Sequence, residues 1–206
     1  MNHNKHWEQT YSSNQTEALG WYTPHLQTSL SWIRELGLDA NAPIIDVGGG
    51  ASTLVDDLLE AGQRSITVLD ISDKALSLAR ARLGEKAKLV KWLEGNITSL
   101  DLPAQYYELW HDRAVFHFLT ARDDREKYVS VLRQTLAPGG HLIIMAFAIG
   151  GPSKCSGLDI VQYDANKLTQ ELGPGFELLA TGYEVHITPA GNEQKFMYFH
   201  LIRSRR

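Results

Sequence analysis

The sequence predicts an α/β fold, a doubly wound and mostly parallel sheet of seven strands with one antiparallel strand in a C-terminal hairpin. Apolar runs alternate with helical periodicity from residue 44 onward. The first of these runs ends in three consecutive glycines, Gly48 to Gly50. The last two β-like runs, 177–186 and 195–203, are joined by "TPAGN", which has no room for a crossover helix and therefore signals a hairpin.

Each element follows from its own pattern. A helix with Leu26, Leu30, Ile33 and Leu36 precedes the first strand, Ile44–Val47. After the glycines, Leu54, Val55, Leu58 and Leu59 share one helix face, with Ser52 as the expected N-cap. Residues 65–69 read as the second strand. The next helix is capped by Ser72 and carries Leu76, Ala79 and Leu83 on one stripe. Residues 88–93 and 107–111 read as the third and fourth strands. The helix over 123–136 carries Val129, Leu132 and Leu136 and stops at the "PGG" of Pro138 to Gly140. "HLIIMAFA" is apolar enough for a central strand covered on both faces. A loop rich in Gly, Pro and Ser then leads to a short helix with Ala165, Leu168 and Leu172.

Composition narrows the function. In 206 residues, 43% hydrophobic and 21% charged content is that of an ordinary soluble globular protein. A net charge of -4 argues against a general grip on nucleic acid, and the basic "RSRR" tail reads as a solvated end. The single cysteine, Cys155, leaves no internal disulfide and no cysteine-based zinc site. The start of the chain lacks an apolar core of signal-peptide length, and the run "LIIMAFAIGG" is too short for a bilayer, so the expected location is cytoplasmic, with no membrane partner. No His/Asp/Glu cluster has metal-ligand spacing, and no Ser-His-Asp constellation is readable.

In a doubly wound fold the ligand sits beyond the carboxyl ends of the strands, where strand order reverses. The first strand delivers Gly48, Gly49 and Gly50 there. Asp70 closes the second strand twenty positions after Gly50, the spacing at which an acidic residue takes a ribose diol. A dinucleotide and S-adenosylmethionine compete for such a site. The dinucleotide fingerprint places its third glycine at position 53, where this chain has Thr53. Asp46 would repel a pyrophosphate but attract the amino group and sulfonium of S-adenosylmethionine. The loop fits the sulfonium cofactor.

"IIDVGGGAS" (residues 44–52) resembles the first motif of class I S-adenosylmethionine-dependent methyltransferases, and "VLDIS" (68–72) resembles the second. The closing hairpin is similar to that family's reversed seventh strand. The resemblance covers roughly residues 40 to 203 and implies a Rossmann-like fold. With a length that suits one domain, the expectation is a single methyltransferase domain over 1–206, with 1–40 as lid and helical lead-in and 41–206 as the catalytic core. The resemblance also implies that Asp46, Gly48, Gly49 and Gly50 face the methionine part, Asp70 the ribose hydroxyls and Ile71 one adenine face. "EGNI", ending in Asn96 and Ile97, matches the third cofactor element, with Asn96 where the family usually carries Asp. Its amide oxygen can accept from the adenine amino group; otherwise Asn96 is a turn residue.

"ELWHDRAVFHFL" (108–119) brings His111, Asp112 and Arg113 to the same rim. Asp112 or His111 can serve as base toward a protonated acceptor. Arg113 can orient Asp112, favour an anionic nucleophile such as a thiolate, or simply pair with Asp112 and brace the strand end. "WHDRAVFHFL" with "DDREKYV" resembles the Asp-Arg element of thiopurine methyltransferase-like enzymes, which act on small soft nucleophiles. The N-terminal "HWEQTYSSNQTEALGWYTPHLQTSL" resembles methyltransferases acting on lysines of elongation factors. Trp7, Tyr11, Trp21, Tyr22 and His25 lie there without a regular core stripe. They can fold over the cofactor as a lid, Trp21 and Tyr22 touching it, or staple the N-terminus to the sheet. His117 and Cys155 read as structural or incidental residues. The expected partner is a small-molecule methyl acceptor, a thiol or another soft nucleophile. A protein lysine and a non-catalytic S-adenosylmethionine-binding module are the alternatives, with a nicotinamide oxidoreductase behind them.

Overall fold

The apolar runs pair side by side in the computed structural model, which describes residues 3–188 and 191–205. The main sheet comprises β1 (Ile44–Val47), β2 (Ile66–Asp70), β3 (Val90–Glu94), β4 (Tyr107–Arg113), β5 (Leu136–Phe147), β8 (Phe176–Ile187) and β9 (Glu193–Arg203). Its order is β3-β2-β1-β4-β5-β9-β8, and β6 (Lys154–Cys155) and β7 (Leu158–Asp159) form a separate small hairpin. Neighbours from β3 to β5 are parallel, and β9 alone runs against its neighbours β5 and β8.

The helices are α1 (His3–Ser13), α2 (Gln27–Glu35), α3 (Leu54–Glu60), α4 (Asp73–Leu83), α5 (Arg122–Thr135) and α6 (Ala165–Leu172). Strand side chains alternate between faces, so each strand feeds two cores. Ile44, Leu109, Ile143 and Met145 pack with Leu30 and Ile33 of α2, Val55 and Leu58 of α3 and Leu76 of α4. Ile45, Val47, Trp110 and Ile144 pack on the other face with Tyr128 and Leu132 of α5 and Leu168 of α6. Among the described residues no helix is long and apolar enough to cross a membrane.

Several boundaries differ from the sequence reading. β2 begins at Ile66 rather than 65, β3 begins at Val90 after a 3-10 turn over Gly84–Leu89, and β4 continues to Arg113. Pro138 to Gly140 do not separate helix from strand. The pairing passes from Tyr107↔Leu136 to Leu109↔His141, so the tripeptide bulges out within β5, with Gly139 at φ 80°. Ser52 caps α3 as expected, its Oγ accepting from Leu54 N at 3.2 Å, while Thr53, directly before the helix, makes no side-chain cap bond. Pro189 and Ala190 of the expected turn, and Arg206 of the basic tail, lie outside the described residues.

The segment before residue 22 is helical in α1, although it is polar nearly all round. Trp7 and Tyr11, four residues apart, lie on one side of α1 and pack with Trp21, Ala51 and Ala75. That narrow aromatic stripe is too short to stand out in sequence. Ser72 caps α4 as expected, its buried Oγ accepting from Ala75 N at 3.1 Å. Ser72→Ala is expected to cost about 1 kcal/mol and to lower Tm by roughly 2–4 °C, read by thermal unfolding.

Candidate functional site

Strand order reverses between β1 and β4, and beyond their carboxyl ends lies a cavity of about 420 Å³. Val47, Gly48, Leu69 and Asp70 line its floor, and His3, Trp7, Tyr11, Gly20 and Trp21 its roof. The roof is an aromatic lattice. Trp7 meets Trp21 edge-on at 5.6 Å and Phe118 at 5.2 Å between ring centroids. Two main-chain carbonyls tie it down: Trp21 O accepts from Arg113 Nη1 at 3.1 Å, and Gly20 O lies 2.8 Å from His186 Nε2. Tyr22 lies outside this cavity, contrary to expectation. It and His25 line a separate open cleft with residues 184–187, because the chain turns outward after Trp21.

The glycine triplet is crowded by the protein itself. Gly48 has φ 69°, and a Cβ there would lie 2.0 Å from Val115 Cγ2. A Cβ at Gly49 would lie 2.5 Å from Asp46 Oδ2, and one at Gly50 would lie 2.5 Å from Asp70 Oδ2. Of the three, Gly48 lines the cavity, whereas Gly49 and Gly50 make room for the two carboxylates.

Asp70 faces the cavity from the end of β2, and its Oδ1 accepts from Ser72 N at 2.8 Å. Burial pushes its carboxyl up to about 7, with the nearby Asp46 and Glu8 charges adding to the rise. Ile71, Asn96, Ile97 and Thr98 line the same end. The Asn96 amide oxygen does not stand ready for an adenine amino group: it accepts from Thr98 N at 3.0 Å and Thr98 Oγ1 at 2.9 Å. The turn takes the acceptor, and the amide nitrogen is the group left for a ligand.

The rim residues of β4 separate by the pleat. His111 is buried toward α2, its Nδ1 2.7 Å from Asp46 Oδ1 and its Nε2 2.9 Å from Ser29 Oγ. This is a Ser-His-Asp row that the sequence did not reveal, since its members come from α2, β4 and β1. All three are buried and none lines the cavity, so the row braces α2 against the sheet. Asp46 thus turns toward His111 instead of into the cavity, with its Oδ2 unpartnered among the described residues.

Asp112 points to the opposite face. It accepts from Val115 N at 2.7 Å, Phe116 N at 3.1 Å and the Tyr128 hydroxyl at 2.6 Å. Burial holds its carboxyl up at about 6, against those hydrogen bonds. It does not line the cavity and fixes the turn after β4, so the structure gives neither Asp112 nor His111 the position a base needs. Arg113 does line the cavity and forms no pair with Asp112, which the pleat sends to the other side. Its Nε and Nη2 are buried and make no hydrogen bond of ordinary geometry among the described residues, and the Tyr198 hydroxyl lies near enough to interact with the guanidinium both as a hydrogen-bonding group and through its charge.

The cavity continues past Arg113 to His117, Met145, Cys155, Ser156, Gln194 and Phe196. His117 and Cys155, expected to be structural or incidental, both stand on the cavity wall. The chain around this end is held in unusual conformations: Ala114 and Ser156, both on the cavity wall, have φ 75° and 51°. Among the described residues no group of three or more His, Cys, Asp or Glu could hold a metal ion.

The residues present fit S-adenosylmethionine. The unpartnered Asp46 oxygen behind the loop supplies negative charge for a cationic ligand, and the desolvated Asp70 gains from hydroxyl donors. Gly48, Asp70, Ile71, Asn96 and Ile97 would hold it.

Comparison with known proteins agrees with this geometry. Residues 45–144 match a family described as "Methyltransferase domain". The chain is 22% identical over 153 residues to the eEF1A lysine and N-terminal methyltransferase of Bos taurus, covering 74% of this chain and 21% of that protein. It is 29% identical over 122 residues to the uncharacterized methyltransferase YdaC of Bacillus subtilis, covering 57% of this chain and 64% of that one. A SAM-dependent methyltransferase structure from Anabaena variabilis superposes with a TM-score of 0.75 at 17% identity, over 98% of this chain and 96% of that chain.

Because the Asp70 carboxyl is raised to about 7 in the folded protein from 3.8, ionising it costs stability progressively as pH rises between these values. Asp70→Asn is therefore expected to unfold near the wild-type Tm at the low end of that window. Toward and above pH 7 it becomes the more stable of the two. Its affinity for S-adenosylhomocysteine is expected to fall by about tenfold or more, by calorimetry, because an amide replaces a charged acceptor.

Proposed function

We propose that this chain, whose residues 45–144 form an S-adenosylmethionine-dependent methyltransferase domain, transfers a methyl group to a small molecule, a thiol or another soft nucleophile. The observation that carries this reading is Arg113. It lines the cavity, its Nη1 donates to Trp21 O, and the Tyr198 hydroxyl lies beside it, with no carboxylate hydrogen-bonded to it among the described residues. A cation there lowers the pKa of an acidic acceptor and holds its anion, whereas it disfavours the positive charge a lysine side chain brings.

When bound, S-adenosylmethionine supplies a methyl carbon already activated by its sulfonium. The chain's own residues bind, align and exclude water. Asp70 takes the ribose hydroxyls, Ile71 and Ile97 flank the adenine, and Gly48 gives the backbone room. Trp7, Tyr11 and Trp21 close the roof and present rings to a cation. Arg113 holds the acceptor as its anion, so its proton has already gone to solvent and no side-chain base is required. That agrees with Asp112 being turned into the core.

The second reading is a protein lysine methyltransferase, which the similarity to the eEF1A enzyme favours. Incubating the protein with methyl-labelled S-adenosylmethionine and a cell extract, then separating proteins from small molecules, tests the two. Label in the small-molecule fraction is expected; label confined to a protein band overturns the small-molecule reading. Removing residues 1–22 is expected to raise the S-adenosylhomocysteine off-rate by about tenfold, measured by stopped-flow fluorescence.

A further inference from the structure

The acceptor end of the cavity contains a polar group that the reading above does not use. His117 is wholly buried, yet it lines the cavity, and neither ring nitrogen has a hydrogen-bond partner among the described residues. Buried polar groups are normally satisfied, so an unpartnered, wholly buried imidazole on a cavity wall is a group that gains from a ligand reaching it. Its ring is fixed, stacked on Phe147 at 5.2 Å between centroids with 25° between planes and met edge-on by Phe118 at 4.3 Å. The main chain is fixed too, since His117 O accepts from Val161 N at 2.8 Å.

We infer that His117 and Arg113 form a two-point acceptor subsite for a flat, apolar weak acid of the phenol class. The ionised oxygen of such a molecule lies on the guanidinium, and a second polar atom hydrogen-bonds the imidazole. This rests on the methyltransferase reading and on an anionic small-molecule acceptor, and departs from it in one respect, since the nucleophilic atom of this class is an oxygen rather than a soft thiolate sulfur.

Burial holds the His117 imidazole neutral, with its pKa lowered to about 3, so it offers one donor and one acceptor rather than a second cation. Met145 and Phe196 supply apolar walls beside it. The cavity of about 420 Å³ also has to accommodate the cofactor, so the acceptor shares it with a second molecule.

4-Nitrophenol tests the subsite, because its anion and neutral form absorb at different wavelengths and its nitro group offers a second polar atom. S-adenosylhomocysteine affinity of the wild-type protein is measured first; its absence overturns the methyltransferase reading itself. The probe is then titrated into S-adenosylhomocysteine-loaded protein, in a buffer acid enough to keep free probe protonated. Bound probe is expected to show the anion band, and Arg113→Met to abolish that band. His117→Phe is expected to weaken binding about tenfold while keeping the band, and His117→Asn to recover part of the loss. In the wild type, the imidazole nitrogen resonances of His117 shift on adding probe, a readout that needs no variant. Cofactor-product binding with no anion band overturns the subsite alone. Binding that is equal in wild type and His117→Phe, or imidazole resonances that do not move, removes His117 from it.

Discussion

The pleat of β4 is the constraint on which the site depends. Three consecutive polar residues, His111, Asp112 and Arg113, leave the strand to alternating sides. His111 reaches Asp46 on β1 and Ser29 on α2, tying the glycine loop's strand to a helix. Asp112 enters the other core, where Tyr128 and two main-chain amides lock the turn that carries residues 115–118. Arg113 returns to the first side, reaching both cavity and roof. Slipping β4 by one residue would bury the guanidinium and expose the carboxylate, so register and chemistry are one specification.

Much of the fold was legible because it is written in local periodicity. Strands at 44–47 and 141–147, the capped helix after Ser72 and the closing hairpin all announce themselves by apolar runs and turn residues. Asp70, Ile71 and Ile97, expected at the site from the glycine spacing and the family resemblance, do line the cavity, from the end of β2 and the loops after β2 and β3. What was not legible depends on side-chain direction and on distant packing. Asp112 is as polar as Arg113 and its neighbour in sequence, and only Tyr128, sixteen residues later, says which of them turns inward. His117, expected to be structural from its place just after the fourth strand, is fixed at a cavity wall by the rings of Phe118 and Phe147.

The glycine loop shows how a motif can be right for a reason other than the first one imagined. Close approach is indeed what the glycines permit, but at Gly49 and Gly50 the approaching atoms are the carboxylates of Asp46 and Asp70. The loop therefore concentrates negative charge beneath the cavity floor in a desolvated setting, where a cationic ligand gains most. Both carboxylates remain buried there, and the tension of that arrangement is visible in the raised Asp70 carboxyl.

The roof is fastened by the main-chain oxygens of Gly20 and Trp21, held by His186 and Arg113. Such a fastening reads no side chain of the segment it holds. The helix before it is held differently, through its own side chains: Asn4 donates to Ile71 O, Glu8 accepts from Lys74 N, and Trp7 and Tyr11 pack on Ala51 and Ala75. The cavity is therefore closed by two attachments of different kinds, a main-chain clasp near the end of the segment and a side-chain seat at its start, and a substitution in α1 can loosen the second without touching the first.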